Sequence, residues 1–352
     1  MRHFTFAFIF TAIALGLGAW WGYSTDGIAG AITAVTIVAV LGLMEISLSF
    51  DNAVVNASVI KNWDKFWQTM FLTVGVLVAV FGMRLLFPLL IVSMSSDMSM
   101  LQVFNMALNQ PEEYSTKVME SYGQISAFGG MFLLLVFLNY FLDSEKDVHW
   151  LHWIEEKAGV LGRIDAVSVL IAMGTLLTLL QFAESSEKAA ILLAGVWGIM
   201  TYLIVDFGST LLEKEEEDPL IGKIVKRGSI GAFIYLEVLD ASFSFDGVIG
   251  ALAISKDIII IMLGLGVGAM FVRSMTVYLV DNGTLNEYIF LEHGAHYAIG
   301  ALALIMLASM HVHIPEYITG LIGISLIGLA FYSSLRYKRN NPEAAEQAAA
   351  QS

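Results

Sequence analysis

Cysteine is absent from this chain of 352 residues, and charged residues make up only 14% of it. The absence of thiols excludes disulfides, thiolate zinc sites, iron–sulfur clusters and cysteine catalysis, so a metal site must use oxygen, imidazole or thioether ligands. Basic residues are also few. The 18 Lys and Arg stand against 32 Asp and Glu, and the net charge of −14 argues against nucleic acid as a partner.

Apolar residues are in excess and make up 57% of the chain. Soluble domains are about 45–50% apolar and about 25% charged. A soluble protein could not bury this much apolar surface, so the composition predicts an all-α polytopic membrane protein. A membrane helix needs about 20 apolar residues. We predict ten transmembrane helices, at residues 4–23, 27–60, 68–95, 125–142, 164–182, 189–212, 229–254, 258–281, 293–310 and 316–335.

The distribution of basic residues predicts the orientation of these helices. With the N-terminus in the cytoplasm, thirteen Lys and Arg fall in cytoplasmic segments, three fall on the other side, and Arg84 and Arg273 lie within spans. This bias predicts that both termini are cytoplasmic (N-in and C-in) and that the number of helices is even. The second span, 27–60, is too long for one straight helix, and we expect it to break or to carry a helical extension.

An internal repeat relates the two halves of the chain. Residues 45–51 (EISLSFD) and 240–246 (DASFSFD) share the pattern acid-x-Ser-apolar-Ser-Phe-Asp at an offset of 195 residues. In the predicted topology the two motif helices run in opposite directions. This is the inverted-topology repeat of many secondary transporters, which places the substrate site near the midplane of the membrane. We predict helices 2–4 and 7–9 as the repeated units.

The repeat divides the chain into segments. They are 1–26 (first transmembrane helix), 27–142 (first repeat), 143–228 (cytoplasmic loops and helices 5 and 6), 229–312 (second repeat), 313–339 (last helix) and 340–352 (disordered tail). Residues 96–124 are expected to form an amphipathic outside loop, and residues 143–163 a helix on the cytoplasmic membrane surface. The acidic run at 213–218 is interpreted as a solvated loop.

Intramembrane carboxylates are the main functional signal. Each costs at least about 2.5–3.5 kcal/mol on insertion scales, and five carboxylates exceed the two buried arginines by three. This excess favours a cation site over structural pairing alone. Oxygen donors suit Mn²⁺, Ca²⁺ or Mg²⁺, and we expect both motif helices to unwind near Ser-Phe-Asp so that the acids converge. The predicted ligands are Glu45, Asp51, Asn52, Glu237, Asp240, Ser244 and Asp246, with Arg84 and Arg273 as counter-charges that pair with acids when no cation is bound.

The paired motifs, each followed by a helix with a lone Arg, resemble those of the TerC family of integral membrane proteins. The segment His313-Ile-Pro315 also resembles that family, and the resemblance covers roughly residues 27–335. Gly247, where the family often has Ser, and the extra segments 96–124 and 143–163 place the chain in a less-characterised subgroup. The resemblance implies tellurium resistance or manganese efflux, and so favours Mn²⁺ as the transported ion.

The histidines offer secondary candidates. His149 and His152 have the spacing of a cytoplasmic metal sensor, although the polar side of an interfacial helix is favoured. His293 and His296 could relay protons, but an interfacial position is favoured.

We predict a secondary transporter that exports a divalent cation through the carboxylate site, with proton coupling left open. No permanent cofactor is expected, and the partners are the lipid bilayer, divalent cations, protons and, left open, a second copy of the chain. Because no Gly-x-x-x-x-Gly-Lys, Ser–His or His-Glu-x-x-His arrangement occurs, neither ATP-driven transport nor an enzyme is predicted. The alternative is a scaffold of a tellurite or envelope-stress complex that transports nothing. The bacterial inner membrane is the expected location.

Overall fold

The computed structural model is helical apart from one short hairpin, as predicted from the composition. Its helices begin with α1 (Thr5–Leu48), α2 (Phe50–Ile60), α3 (Lys65–Leu77), a π-helical turn (Val78–Leu86), α4 (Phe87–Ser95), α5 (Met100–Asn109), α6 (Pro111–Glu120), α7 (Tyr122–Leu142), α8 (His152–Leu161), α9 (Val167–Leu179) and α10 (Lys188–Leu212). The second half contains α11 (Ile230–Ile254), α12 (Ile258–Asp281), α13 (Thr284–Glu287), α14 (Leu291–Ser309) and α15 (Glu316–Asn340). The structure describes residues 2–96, 98–144, 146, 148–162, 164, 166–212, 214–218, 223–312 and 314–341.

Helix α1 is two antiparallel limbs joined by a tight turn. Asp26 and Gly27 leave the helical conformation, and Gly27 has a φ of 59°, which favours glycine. A Cβ at Gly22 would collide with the carbonyl of Gly30 on the other limb. The two limbs therefore correspond to the first and second predicted spans, and their close contact depends on these glycines.

The long second span breaks, as predicted. Its helix ends at Leu48, and Ser49 has a φ of −103° and a ψ of 21° before α2 begins at Phe50. The matching prediction for the second motif was wrong, because α11 continues from Ile230 to Ile254. A serine does not by itself break a helix, since its hydroxyl can bond the carbonyl four residues earlier. Ser242 does this with the carbonyl of Val238.

Seven of the described helices are long and apolar enough to cross a membrane, which makes the protein multi-pass. They lie at Thr5–Leu48, Lys65–Met94, Tyr122–Leu142, Lys188–Leu212, Ile258–Asp281, Leu291–Ser309 and Tyr317–Asn340. The fifth predicted span is shorter than expected, because α9 has 13 residues and is about 20 Å long. Helix α11 has the length of a span and carries Glu237 as well as the two acids of the second motif, Asp240 and Asp246.

Two expected loops contain regular structure. Residues 96–124 include the helices α5 and α6, which bury Val103, Met106 and Tyr114. The acidic run at 213–218, interpreted as a loop, contributes the strand β1 (Lys214–Asp218), which pairs antiparallel with β2 (Lys223–Arg227). Its register sets Glu215 opposite Lys226.

Ion pairs gather at one end of the helix bundle. Lys61 bonds Glu292 at 2.8 Å, and Lys338 bonds Glu287 at 2.9 Å. His3 and Lys65 approach Asp281 at 3.4 Å and 3.6 Å. These contacts bring the chain start, the α2–α3 loop and the end of α15 to the same end of the molecule.

Candidate functional site

The candidate site lies where the two motif segments meet inside the bundle. Its described polar residues are at most 7% exposed, and they comprise Glu45, Ser49, Asp51, Asn52, Glu237, Asp240, Ser244, Arg84 and Arg273. The side chain of Asp246 and the whole of His313 lie outside the described residues. Four carboxylates against two guanidinium groups give the described site a net charge of −2 when all are ionised.

The first arginine pairs with the first acid of the first motif. Arg84 donates to Glu45 Oε1 at 2.5 Å and to the carbonyl of Ala79 at 2.8 Å. Ser49, at the helix break, donates its hydroxyl to the same carboxylate oxygen at 3.1 Å. Arg84 projects from the π-helical turn, an irregularity that is frequent at functional sites.

The second arginine holds two acids of α11, Glu237 and the first acid of the second motif, Asp240. Arg273 donates to Glu237 through both terminal nitrogens at 3.2 Å and to Asp240 Oδ2 at 3.2 Å. It also donates to the carbonyl of Phe71 at 2.8 Å and stacks on the Phe71 ring. The two acids are three residues apart on α11, so one helix face presents both to Arg273. A buried arginine is therefore paired with acids in both halves.

One glycine in each half of the chain allows a buried acid of the other half to approach its helix closely. A Cβ at Gly75 on α3 would collide with Glu237 and Arg273 of the second half. A Cβ at Gly268 on α12 would collide with the Glu45 side chain of the first half. Each half thus supplies one glycine that lets the other half's acid approach closely.

Two asparagines on α2 carry carbonyl oxygens without a described partner. Asn52 and Asn56 are 4% and 0% exposed, and neither Oδ1 has a hydrogen-bond partner among the described residues. Asn56 donates its amide to Asp240 Oδ1 at 3.4 Å, which joins the two motifs directly. A buried unpaired acceptor costs about 1–3 kcal/mol, so these oxygens are suited to accept a cation. Sequence reasoning missed Asn56, although its spacing of four from Asn52 places both on one helix face.

Two small cavities flank Asn52. The larger offers about 20 Å³ to the centre of a water-sized sphere, and the smaller about 10 Å³. A buried water needs roughly 10–15 Å³ by this measure, so each has room for about one small atom or ion. No group of three His, Asp or Glu among the described side chains is placed to hold a metal ion. Glu45 pairs with Arg84, whereas Glu237 and Asp240 pair with Arg273, so these acids do not converge on one point.

A second buried network lies toward the end that carries the ion pairs. Glu155 of α8 points inward, with Lys146 at 3.4 Å, Tyr297 at 2.9 Å and the Leu151 amide at 2.9 Å. Burial alone raises the pKa of the Glu155 carboxyl. The hydrogen bonds from Leu151 and Tyr297, with the charge of Lys146, outweigh burial and hold this pKa below its usual value. His293 lies 3.7 Å from the same carboxylate and is buried, so it belongs to this network.

The exposed face of α8 agrees with a position at the membrane surface. Trp153, Val160 and Leu161 are exposed, and Lys157 stacks on the Trp153 ring at 4.2 Å. His152 lies 3.4 Å from the exposed Glu156, and its ring centroid is 5.7 Å from that of His149. No three-donor metal group forms in the described part of α8.

The model of the family described as "Protein of unknown function (DUF475)" matches residues 50–341. The chain belongs to the DUF475 family. No curated protein and no solved structure matches the chain. The DUF475 region contains both arginines, the whole second motif and the asparagines of α2, while Glu45 lies five residues before its first matched residue.

Proposed function

We propose that this DUF475 protein is a secondary transporter that exports a divalent cation, with Mn²⁺ favoured by its resemblance to the TerC family. We further propose that DUF475 is related to TerC. In this proposal ten segments alternate across the bacterial inner membrane, both termini are cytoplasmic, and helices 2–4 and 7–9 form an inverted repeat. The ion pairs of Lys61, Lys65 and Lys338 at one end of the bundle support a common cytoplasmic side.

One observation carries the proposal: each half presents a buried arginine bonded to the first acid of its own motif. These pairs are Arg84 with Glu45 and Arg273 with Asp240. Ionisable groups inside a membrane are costly and mark ion pathways. If the arginines served only to form structural ion pairs, one acid for each arginine would be enough. The site buries two further acids, Asp51 and Glu237. The surplus negative charge favours a cation as the missing partner.

The proposed cycle exchanges arginine for cargo. A divalent cation entering the site competes with the guanidinium groups for the carboxylates, because both satisfy the same oxygens. When the ion leaves, the arginines return and neutralise the acids, so the empty carrier can reorient without exposing bare charge to lipid. Protons can serve the same neutralising role, which is the basis for proposed proton coupling. No bond in the cargo is made or broken, so the protein is not an enzyme.

Flux through proteoliposomes tests this function. Purified protein is reconstituted, and Mn²⁺, Ca²⁺ and Mg²⁺ uptake is compared between the wild type and Asp51→Asn. Asp281→Asn is the matched control, because it removes a carboxylate at the ion-paired end and outside the site. We expect Mn²⁺ flux in the wild type and the control, and its loss in Asp51→Asn. Folded protein that moves none of the three ions would favour the non-transporting scaffold.

A further inference from the structure

The two cavities share one wall. Glu45, Ser49 and Asn52 line both of them. The larger cavity adds Asp51 and Thr319, and we call it the Asp51 chamber. The smaller adds Asp240 with Arg84 and Arg273, and we call it the arginine chamber.

The free acceptor in the shared wall is the amide of Asn52. The Glu45 carboxylate is engaged by Arg84 and by the Ser49 hydroxyl. Asn52 Oδ1, in contrast, is buried and without a partner among the described residues. Because Asn52 lines both cavities, its unpartnered oxygen is a candidate ligand for a hard cation.

The last helix completes the Asp51 chamber. Helix α15 lies outside the predicted repeat, yet Thr319 lines this cavity. A Cβ at Gly323 would lie 3.4 Å from Asp51 Oδ2, so α15 packs directly against the carboxylate. Asp51 Oδ1 accepts a hydrogen bond from the backbone N–H of Asn52 at 3.0 Å, and no arginine of the described residues lines its chamber.

We propose that the site holds two cation positions in series, joined by Asn52. The inference rests on the proposed transport function and specifies its order. A divalent cation first occupies the Asp51 chamber, where Asp51, Asn52 and the Thr319 hydroxyl supply oxygen ligands and no guanidinium must be displaced. It then passes Asn52 into the arginine chamber, where Asp240 replaces Asp51 and the arginines withdraw. The Asn56 carbonyl, one turn along α2, supports this second position.

Mn²⁺ binding by the purified full-length protein tests the order. Free Mn²⁺ is counted by electron paramagnetic resonance during titration with MnCl₂. We expect Thr319→Val and Asn52→Ala to weaken first-site binding by about tenfold or more, as ligand loss does. Asp240→Asn should keep first-site affinity within about twofold of the wild type and lose flux in proteoliposomes.

Two controls separate a ligand role from a structural one. Thr36→Val removes an exposed hydroxyl that bonds only within its helix. Asn139→Ala removes an amide that bonds Tyr202 at 2.6 Å outside the site. Both should leave Mn²⁺ binding unchanged, even where Asn139→Ala lowers the melting temperature.

The outcomes also distinguish this inference from the function on which it rests. If the wild type carries Mn²⁺ but Thr319→Val and Asn52→Ala bind it normally, the two-position order is wrong and transport stands. Equal loss of first-site binding in Asp240→Asn and Asn52→Ala would mean one shared site. If folded wild-type protein neither binds nor moves Mn²⁺, the proposed function itself fails.

Discussion

Removing Arg273 should destabilise the protein far more than removing a surface cation. Its guanidinium bonds Glu237 and Asp240 at 3.2 Å, and all three side chains are buried. Arg273→Met therefore leaves two carboxylates without a counter-charge. Breaking a buried ion pair in this way costs about 3–5 kcal/mol. At about 2 °C per kcal/mol for a large chain, we expect the melting temperature to fall by about 6–10 °C.

The assay is thermal unfolding of the detergent-solubilised protein without divalent cations. Lys65→Met is the matched control, because Lys65 is 85% exposed and 3.6 Å from Asp281, and exposed pairs contribute about 0–1 kcal/mol. Adding Glu237→Gln and Asp240→Asn to Arg273→Met should recover much of the loss, since no bare charge remains. Two results would refute the reasoning. In the first, Arg273→Met has the same melting temperature as Lys65→Met. In the second, the triple variant has the same melting temperature as Arg273→Met, which would mean that uncompensated charge does not cause the destabilisation.

Three further predictions concern other parts of the molecule. Arg84→Gln should change the apparent cation affinity of transport, and unchanged flux kinetics would refute its role as counter-charge. Gly268→Ala should lower flux and stability through collision with Glu45, whereas Gly174→Ala, which meets open space within α9, should leave flux unchanged and should not lower stability. In Glu155→Gln, the melting temperature should fall less between neutral and acidic pH than it does in the wild type. The lowered pKa of Glu155 means that its ionised form stabilises the fold above the ordinary carboxyl pKa and that this stability disappears as pH falls through the folded-state value. An unaltered acid profile would contradict this.

Local sequence patterns predicted much of the helical organisation. Long apolar runs predicted the helices because lipid demands about 20 such residues per span. The length of span 27–60 also predicted the break that occurs at Ser49. The pairing of β1 with β2 was missed because a run of acids is typical of solvated loops, and strand pairing also depends on a second segment of the chain.

The site was harder to predict because its geometry depends on distant residues. The motif identified the acids, and charge balance identified the arginines. The contact between Asn56 and Asp240 joins positions 184 residues apart, and no local period encodes it. The inward turn of Glu155 depends in the same way on Tyr297 from a distant helix. Helices buried on all sides also lack a polar face, so periodicity does not show which of their residues meet.

The most direct test of the transport proposal is Mn²⁺ accumulation in inverted proteoliposomes that contain either the wild type or Asp246→Asn. Asp246 ends the second motif, so its neutralisation tests whether that copy of the repeat acts in transport. The proposal predicts saturable Mn²⁺ uptake by the wild type and background uptake by Asp246→Asn, with equal amounts of folded protein in both. Equal uptake by the two proteins, or none by either, would contradict it.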